Sequence, residues 1–166
     1  MLIGVREGKL QIAFIVRPTR AMLRGVCFEE LARDPMCLAV PPTHAFARLR
    51  SVPLAQAVRE PLLVMTRKDY PEYHEYLDSL FAGLLGKPRI VGEYDSGTSL
   101  VAAIEAGSGV AVAPKSFACT VGPRLKLIPL SPTPEPLVIG AVWLKERLTV
   151  AADQFLKSAR EIASKG

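Results

Sequence analysis

The chain has 166 residues, 49% of them hydrophobic and 22% charged, a balance that excludes a disordered segment and suffices for one domain or two small lobes around a buried core. No window reaches the roughly 18 uninterrupted apolar residues of a membrane span, and MLIGVREG lacks the succession of a secretory signal, so neither membrane insertion nor export is expected and a cytoplasmic setting is the default. The net charge of +5 divides as +4 over residues 1–50, −2 over 51–100 and +3 over 101–166, without the clustered Lys, Arg and aromatics of a nucleic-acid surface.

LIGVREGK reads as the last turn of an amphipathic helix ended by Gly8, and QIAFIV (11–16) as a strand buried on both faces. Two further strands are expected at VCFEEL (26–31) and MCLAV (36–40), the second stopped by Pro41 and Pro42. SVPLAQAV fits a short helix with Ser51 as N-cap and Pro53 in its first turn. LLVM (62–65) is a strand, and the polar loop TRKDYP leads into a helix carrying Tyr73, Tyr76, Leu77, Leu80, Phe81 and Leu84 at helical spacing, ended by Gly86 and Pro88. After the strand RIVGEY (89–94), DSGTSLVAAIEAGSG gives an apolar helix capped by Ser96, Thr98 or Ser99 and ended by Gly107. VAVA (110–113), LKLIPL (125–130) and VIGAVWL (138–144) complete the strands. A last helix over 149–164 carries Val150, Phe155, Leu156, Ala159 and Ile162 on one face. This alternation indicates an α/β fold with largely parallel sheets. Cys27, Cys37 and Cys119 have no CxxC spacing and are expected to be buried reduced thiols rather than disulfides or metal ligands.

Two features invite a ligand. Gly107 and Gly109 form a GxG, but they follow a helix and lead into a strand, the reverse of a dinucleotide site, and read as a helix stop. DSGTS follows a strand and opens a helix, so its hydroxyls and backbone N–H groups converge at the positive end of the helix dipole. A small carboxylate fits there, and the same residues serve equally as a cap. Thr66, Arg67, Lys68, Tyr73 and His74 lie at the same edge of the sheet, where open α/β sheets bind ligands, although Tyr73 and Tyr76 also fit the core. His44 and His74 have no HExxH spacing. GxSxG and GxxxxGK[ST] are absent, and Asp69 and Glu72 read as helix-start charges, so no catalytic set, metal site or cofactor is expected.

The order of REGKLQIAFI, FEELARDPMCLAVPPTHAFAR, VPLAQAVREPLLVM and SLVAAIEAGSGVAVAPKSF resembles the effector-binding domain of LysR-type transcriptional regulators over nearly the whole chain. The family's VPxxHPLA-like motif stands as Val40 to Ala47, with Ala45 for Pro and Phe46 for Leu, and its LVAAGxGIALVP motif as Leu100 to Pro114, with Ile104 and Glu105 within it. The resemblance implies a non-enzymatic fold like that of type 2 periplasmic binding proteins, in which two Rossmann-like lobes clasp an effector in a cleft. It assigns residues 1–40 and 130–166 to the first lobe and 41–129 to the second. The family cleft maps onto Arg17, Pro18 and Thr19, onto Thr66 and Tyr73, and onto Ser96, Gly97 and Thr98. Arg17 is the expected bidentate carboxylate partner, and His44 a structural residue.

The implied effector is a small organic anion, aromatic acids among them, and the implied assembly a homo-oligomer. The family's winged helix-turn-helix, linker helix and first strand, helix and second strand of the effector domain have no counterpart before Met1. The expectation is therefore a truncated domain with an incomplete first lobe and no direct contact with DNA. The alternative is a stand-alone or remnant dimerisation module that binds no effector.

Overall fold

A computed structural model of the chain describes residues 1–18, 20–84 and 86–163. In chain order the elements are α1 (Leu2–Arg6), β1 (Ile12–Val16), β2 (Cys27–Asp34), β3 (Met36–Val40), β4 (Val52–Pro53), α2 (Leu54–Ala57), β5 (Pro61–Met65) and α3 (Pro71–Phe81). They continue with β6 (Arg89–Tyr94), α4 (Gly97–Glu105), β7 (Ala111–Pro114), α5 (Phe117–Val121), β8 (Lys126–Ser131), β9 (Leu137–Trp143) and α6 (Val150–Ala163). The chain divides into two compact units, Met1–Asp34 with Leu137–Gly166, and Pro35–Pro136. Among the described residues no helix is long and apolar enough to cross a membrane.

The first unit is built on a three-stranded sheet of order β1-β9-β2, antiparallel throughout. Residues alternate between its faces, so Ala13 on β1 and Val142 on β9 turn to one side and bury with Val5 of α1, with Phe28 and Leu144 packed around them. The other side takes α6, where Phe155 meets Phe14 edge to face at 5.6 Å and Arg160 grips Glu29 with two hydrogen bonds of 2.6 Å. The single apolar face expected for this helix is divided. Leu156 and Ala152 are buried, whereas Val150, Phe155 and Ile162 remain 78%, 56% and 74% exposed.

The second unit carries a four-stranded sheet of order β4-β8-β3-β7 and the parallel pair β5-β6. They are joined through Val110, whose N–H donates to Pro61 O at 2.9 Å and whose carbonyl accepts from Leu63 N–H at 2.8 Å. The run β5-α3-β6-α4-β7 thus places β5 centrally, with β6 on one side and the approach to β7 on the other. That is the parallel α/β arrangement expected from the sequence, and it puts a topological switch at the carboxyl end of β5. Elsewhere the expectation of largely parallel strands fails: β3 runs antiparallel to both β7 and β8, and among the described residues the first unit has only antiparallel pairs. A continuous apolar run reports burial on two faces and carries no information on direction. The core beneath α4 gathers Leu100, Val101, Ile104, Leu63, Ala39 and Ala111.

Three local expectations are corrected. Ser51 caps nothing: Val52 and Pro53 pair in parallel with Leu130 and Ser131, and the helix starts only at Leu54, with Pro53 as its N-cap. α5 was not anticipated, since five residues show less than two turns of periodicity. Of the cysteines only Cys37 is buried; Cys27 is half-buried, and Cys119 is exposed because α5 buries Val121 and turns Cys119 outward.

Candidate functional site

The switch edge of the second unit is assembled by backbone bonds. Beyond the end of the β5-β6 ladder, Thr66 N–H donates to Tyr94 O at 2.9 Å, which sets Thr66 beside the turn that opens α4. Thr66 then closes its own turn. Its carbonyl accepts from Tyr70 N–H at 3.0 Å and its hydroxyl donates to Asp69 at 2.8 Å. Asp69, read as a helix-start charge, is therefore an anchor of the loop.

At α4 the cap is Ser96, whose Oγ accepts from Ser99 N–H at 3.3 Å and lies 2.9 Å from Ser99 Oγ. Gly97 is the first helical residue and Thr98, the second, is exposed. A helix of nine residues directs its first N–H groups and its positive dipole end into this corner. Phe117, three residues beyond the end of β7, closes one side, its ring carbon 3.8 Å from where a Cβ on Gly97 would stand. Sequence reasoning missed Phe117; its position just after Pro114, at the carboxyl end of a strand neighbouring β5, was the available signal.

Other expected donors are already engaged by protein partners. Tyr73 donates its hydroxyl to Val112 O at 3.0 Å, and burial pushes its phenol well above the ordinary value. His74 is buried, with Nε2 2.6 Å from Met65 O, so this nitrogen carries the proton. Arg67 pairs with Asp78 at 3.2 Å. Tyr76 donates to Glu135 O at 2.8 Å, and burial together with the Glu135 charge raises its pKa to about 12. The structure thus brings Thr66, Ser96, Gly97 and Thr98 to one edge, while the Tyr73 hydroxyl is engaged by the carbonyl of Val112 on β7.

Arg17 and Pro18 belong to the first unit, just past β1, and Thr19 lies outside the described residues. Arg17 is not waiting for a carboxylate. Its Nη2 donates to Glu30 at 2.5 Å, its guanidinium lies 5.5 Å from the Phe28 ring centre, and Arg33 holds the other oxygen of Glu30 at 2.6 Å. The two arginines, Arg33 foremost through its hydrogen bond, keep the Glu30 carboxyl below the usual carboxylate value. Pro18 is buried. His44 is structural: Nδ1 accepts from Phe46 N–H at 3.1 Å and caps the turn Ala45–Arg48, while Nε2 stands 3.8 Å from Glu60.

A groove of about 610 Å³ lies at the far end of α3, lined by Leu77, Phe81, Ala82, Leu84, Lys87 and Pro88, away from the switch edge. Among the described residues no three His, Cys, Asp or Glu side chains cluster as metal ligands would.

A family model described as the LysR substrate binding domain matches residues 1–164. The HTH-type transcriptional regulator TtuA of Agrobacterium vitis is 28% identical over 156 residues, covering 90% of this chain and 50% of that protein, so the chain spans half the length of this relative. Among solved structures, the BenM effector binding domain with its effector benzoate matches with a TM-score of 0.82 at 17% identity, covering 98% of this chain and 73% of the other. The effector binding domain of QuiR in complex with shikimate gives 0.81 at 15%, covering 99% and 77%. The PA01 protein of Pseudomonas aeruginosa gives 0.80 at 24%, covering 98% and 57%. These likenesses show the fold, that of type 2 periplasmic binding proteins.

Proposed function

The chain belongs to the LysR substrate binding domain family, and on that premise we propose that it is the ligand-sensing domain of a LysR-type transcriptional regulator and takes a small organic anion. The observation that carries the reading is the corner formed where Thr66 N–H meets Tyr94 O, because it sets a hydroxyl and the positive end of α4 at one switch point. Thr66, Ser96, Gly97 and Thr98 supply the polar contacts, and Tyr73 and Phe117 the aromatic wall. BenM with benzoate and QuiR with shikimate are relatives in fold whose ligands are carboxylates, which supports a carboxylate here without naming it. Arg17 and Pro18 carry the corresponding proposal for the first unit. Contact with promoter DNA is assigned to other parts of such regulators, and the role of this chain is sensing rather than catalysis.

Calorimetric titration of the chain with benzoate, shikimate and aliphatic carboxylates, each against its uncharged amide, tests the reading. A carboxylate should bind where its amide does not, since the helix end rewards the charge. Thr98→Val should weaken binding by about tenfold, the loss of one hydrogen bond to an anion. The reading fails if no carboxylate binds to the folded chain, or if amide and carboxylate bind alike.

A further inference from the structure

The chain passes between its two units twice, and both passages are tied to elements that border the Thr66 corner. On the first, only Pro35 lies between β2 and β3, and its carbonyl accepts from Lys115 N–H at 2.8 Å, continuing the pairing of Met36 with Pro114. Lys115 stands just before Phe117 in the chain, and the strand ladder fixes this passage by backbone alone.

The second passage is longer and differently made. Between β8 and β9 runs PTPEP, residues 132–136. Pro132, Pro134 and Pro136 carry no N–H, so the segment cannot knit itself into a ladder, and proline-rich chain is a stiff spacer that passes a displacement along rather than absorbing it. Among the described residues, what holds it is one side chain of α3: the Tyr76 hydroxyl donates to Glu135 O at 2.8 Å. α3 is in turn pinned to the elements of the corner. His74 Nε2 donates to Met65 O at 2.6 Å and Tyr73 to Val112 O at 3.0 Å, which joins the helix to β5 and β7. Its N-cap is Tyr70, the last residue of the loop that Thr66 and Asp69 close. From Tyr70 to Tyr76 the helix rises about 9 Å, a length over which it behaves as a rod.

We propose that Tyr76 is the coupling residue of the sensor: through α3 it registers the state of the Thr66 corner at residues 132–136, the stretch by which the chain returns to β9. This rests on the reading of that corner as the carboxylate site. An anion seated between Thr66 and the first N–H groups of α4 restrains the loop that launches α3, the helix carries the restraint to Tyr76, and the phenol delivers it to Glu135 O. The passage at Pro35 cannot serve in this way, because its bond belongs to the β3-β7 ladder whether the corner is filled or empty. The phenol suits the task. Burial and the Glu135 charge raise its pKa to about 12, so it remains a donor at every ordinary pH. Coupling of this kind is reciprocal: whatever order the ligand lends to the tether, the intact tether returns as affinity.

Nuclear magnetic resonance of the whole chain, with benzoate and shikimate as probes, tests this. Thr133 and Glu135 are the residues of the segment that carry an amide proton, and the amides of Thr66, Gly97 and Thr98 report the corner itself. In wild type a bound acid should shift both sets of signals with the same concentration midpoint. Tyr76→Phe, which removes a single oxygen, should keep the corner shifts and lose those of Thr133 and Glu135. It should also bind the acid about two- to tenfold more weakly, the range that one net hydrogen bond can supply. Corner shifts with none at Thr133 and Glu135 overturn the proposal and leave the carboxylate site standing. Shifts at Thr133 and Glu135 that survive in Tyr76→Phe do the same, as does an affinity that the variant leaves unchanged. If neither acid moves Thr66, Gly97 or Thr98, the carboxylate reading falls and the coupling falls with it. Should Tyr76→Phe not fold, Tyr76→Leu takes its place with the same expectations.

Discussion

Replacing Gly109 by alanine would place a methyl carbon 2.4 Å from Pro61 O and 3.0 Å from Leu63 Cγ, the first being a backbone atom that cannot rotate aside. Contacts under 3.0 Å are not sustained by real Cβ atoms, so strand and approach must part by at least about 0.6 Å. That movement falls on the bonds of 2.8 and 2.9 Å between Val110 and β5, the seam that joins β5-β6 to the rest of the second unit's sheet. Two backbone bonds at about 1 kcal/mol each, with overpacking of about 1–3 kcal/mol, give a loss of about 3–5 kcal/mol. Gly107 is the control two residues away. At φ 75° with nothing within 4 Å of a Cβ, alanine there meets only the left-handed backbone penalty, about 1 kcal/mol. Urea unfolding followed by circular dichroism should therefore rank Gly109→Ala well below Gly107→Ala, with a Tm at least about 4 °C under wild type for the former. If Gly109→Ala lies within about 0.5 kcal/mol of wild type, or is no worse than Gly107→Ala, the close-approach reasoning is wrong.

His74→Ala should cost about 1–3 kcal/mol in the same assay by leaving the Met65 carbonyl without its buried donor, and should not be rescued by His74→Leu. His44→Ala should cost about 1 kcal/mol through the lost turn cap, with His44→Asn retaining most of it. The hydrogen bonds from Arg160 hold the Glu29 carboxyl below its ordinary 4.5, so this pair stabilises the fold above that pH and the contribution disappears as pH falls through the lowered folded value. Glu29→Gln should accordingly flatten the acid limb of a stability-versus-pH profile below about 4.5, and a limb identical to wild type would remove the pair from the account.

The elements legible from sequence were those with chemical punctuation. β3 ends at the Pro41-Pro42 pair and β6 lies between Pro88 and Asp95, and both fall on the residues expected. The start of α4 was readable because a hydroxyl followed by an apolar helical run has few other uses, although only the structure selects Ser96 among three candidates. Strand direction was not readable, because antiparallel β1-β9 pairs residues more than a hundred positions apart. The same distance hid the state of Arg17. Its partner Glu30 sits on β2, and only the insertion of β9 between β1 and β2 determines that the two side chains meet. For Tyr73 and His74, residue type announced a donor while the carbonyls of Val112 and Met65, invisible as sequence, had already taken it.

The Arg17-Glu30-Arg33 chain makes any anion arriving at Arg17 an exchange reagent. One carboxylate would leave as another enters, and Glu30, still held by Arg33 through its second oxygen, would not be stranded. Affinity at that arginine is then a difference between two similar bonds, so it rewards the shape and apolar body of the incoming acid more than its charge. A simple inorganic anion offers nothing that Glu30 does not already provide, and the guanidinium is thereby insulated from the salts that surround it.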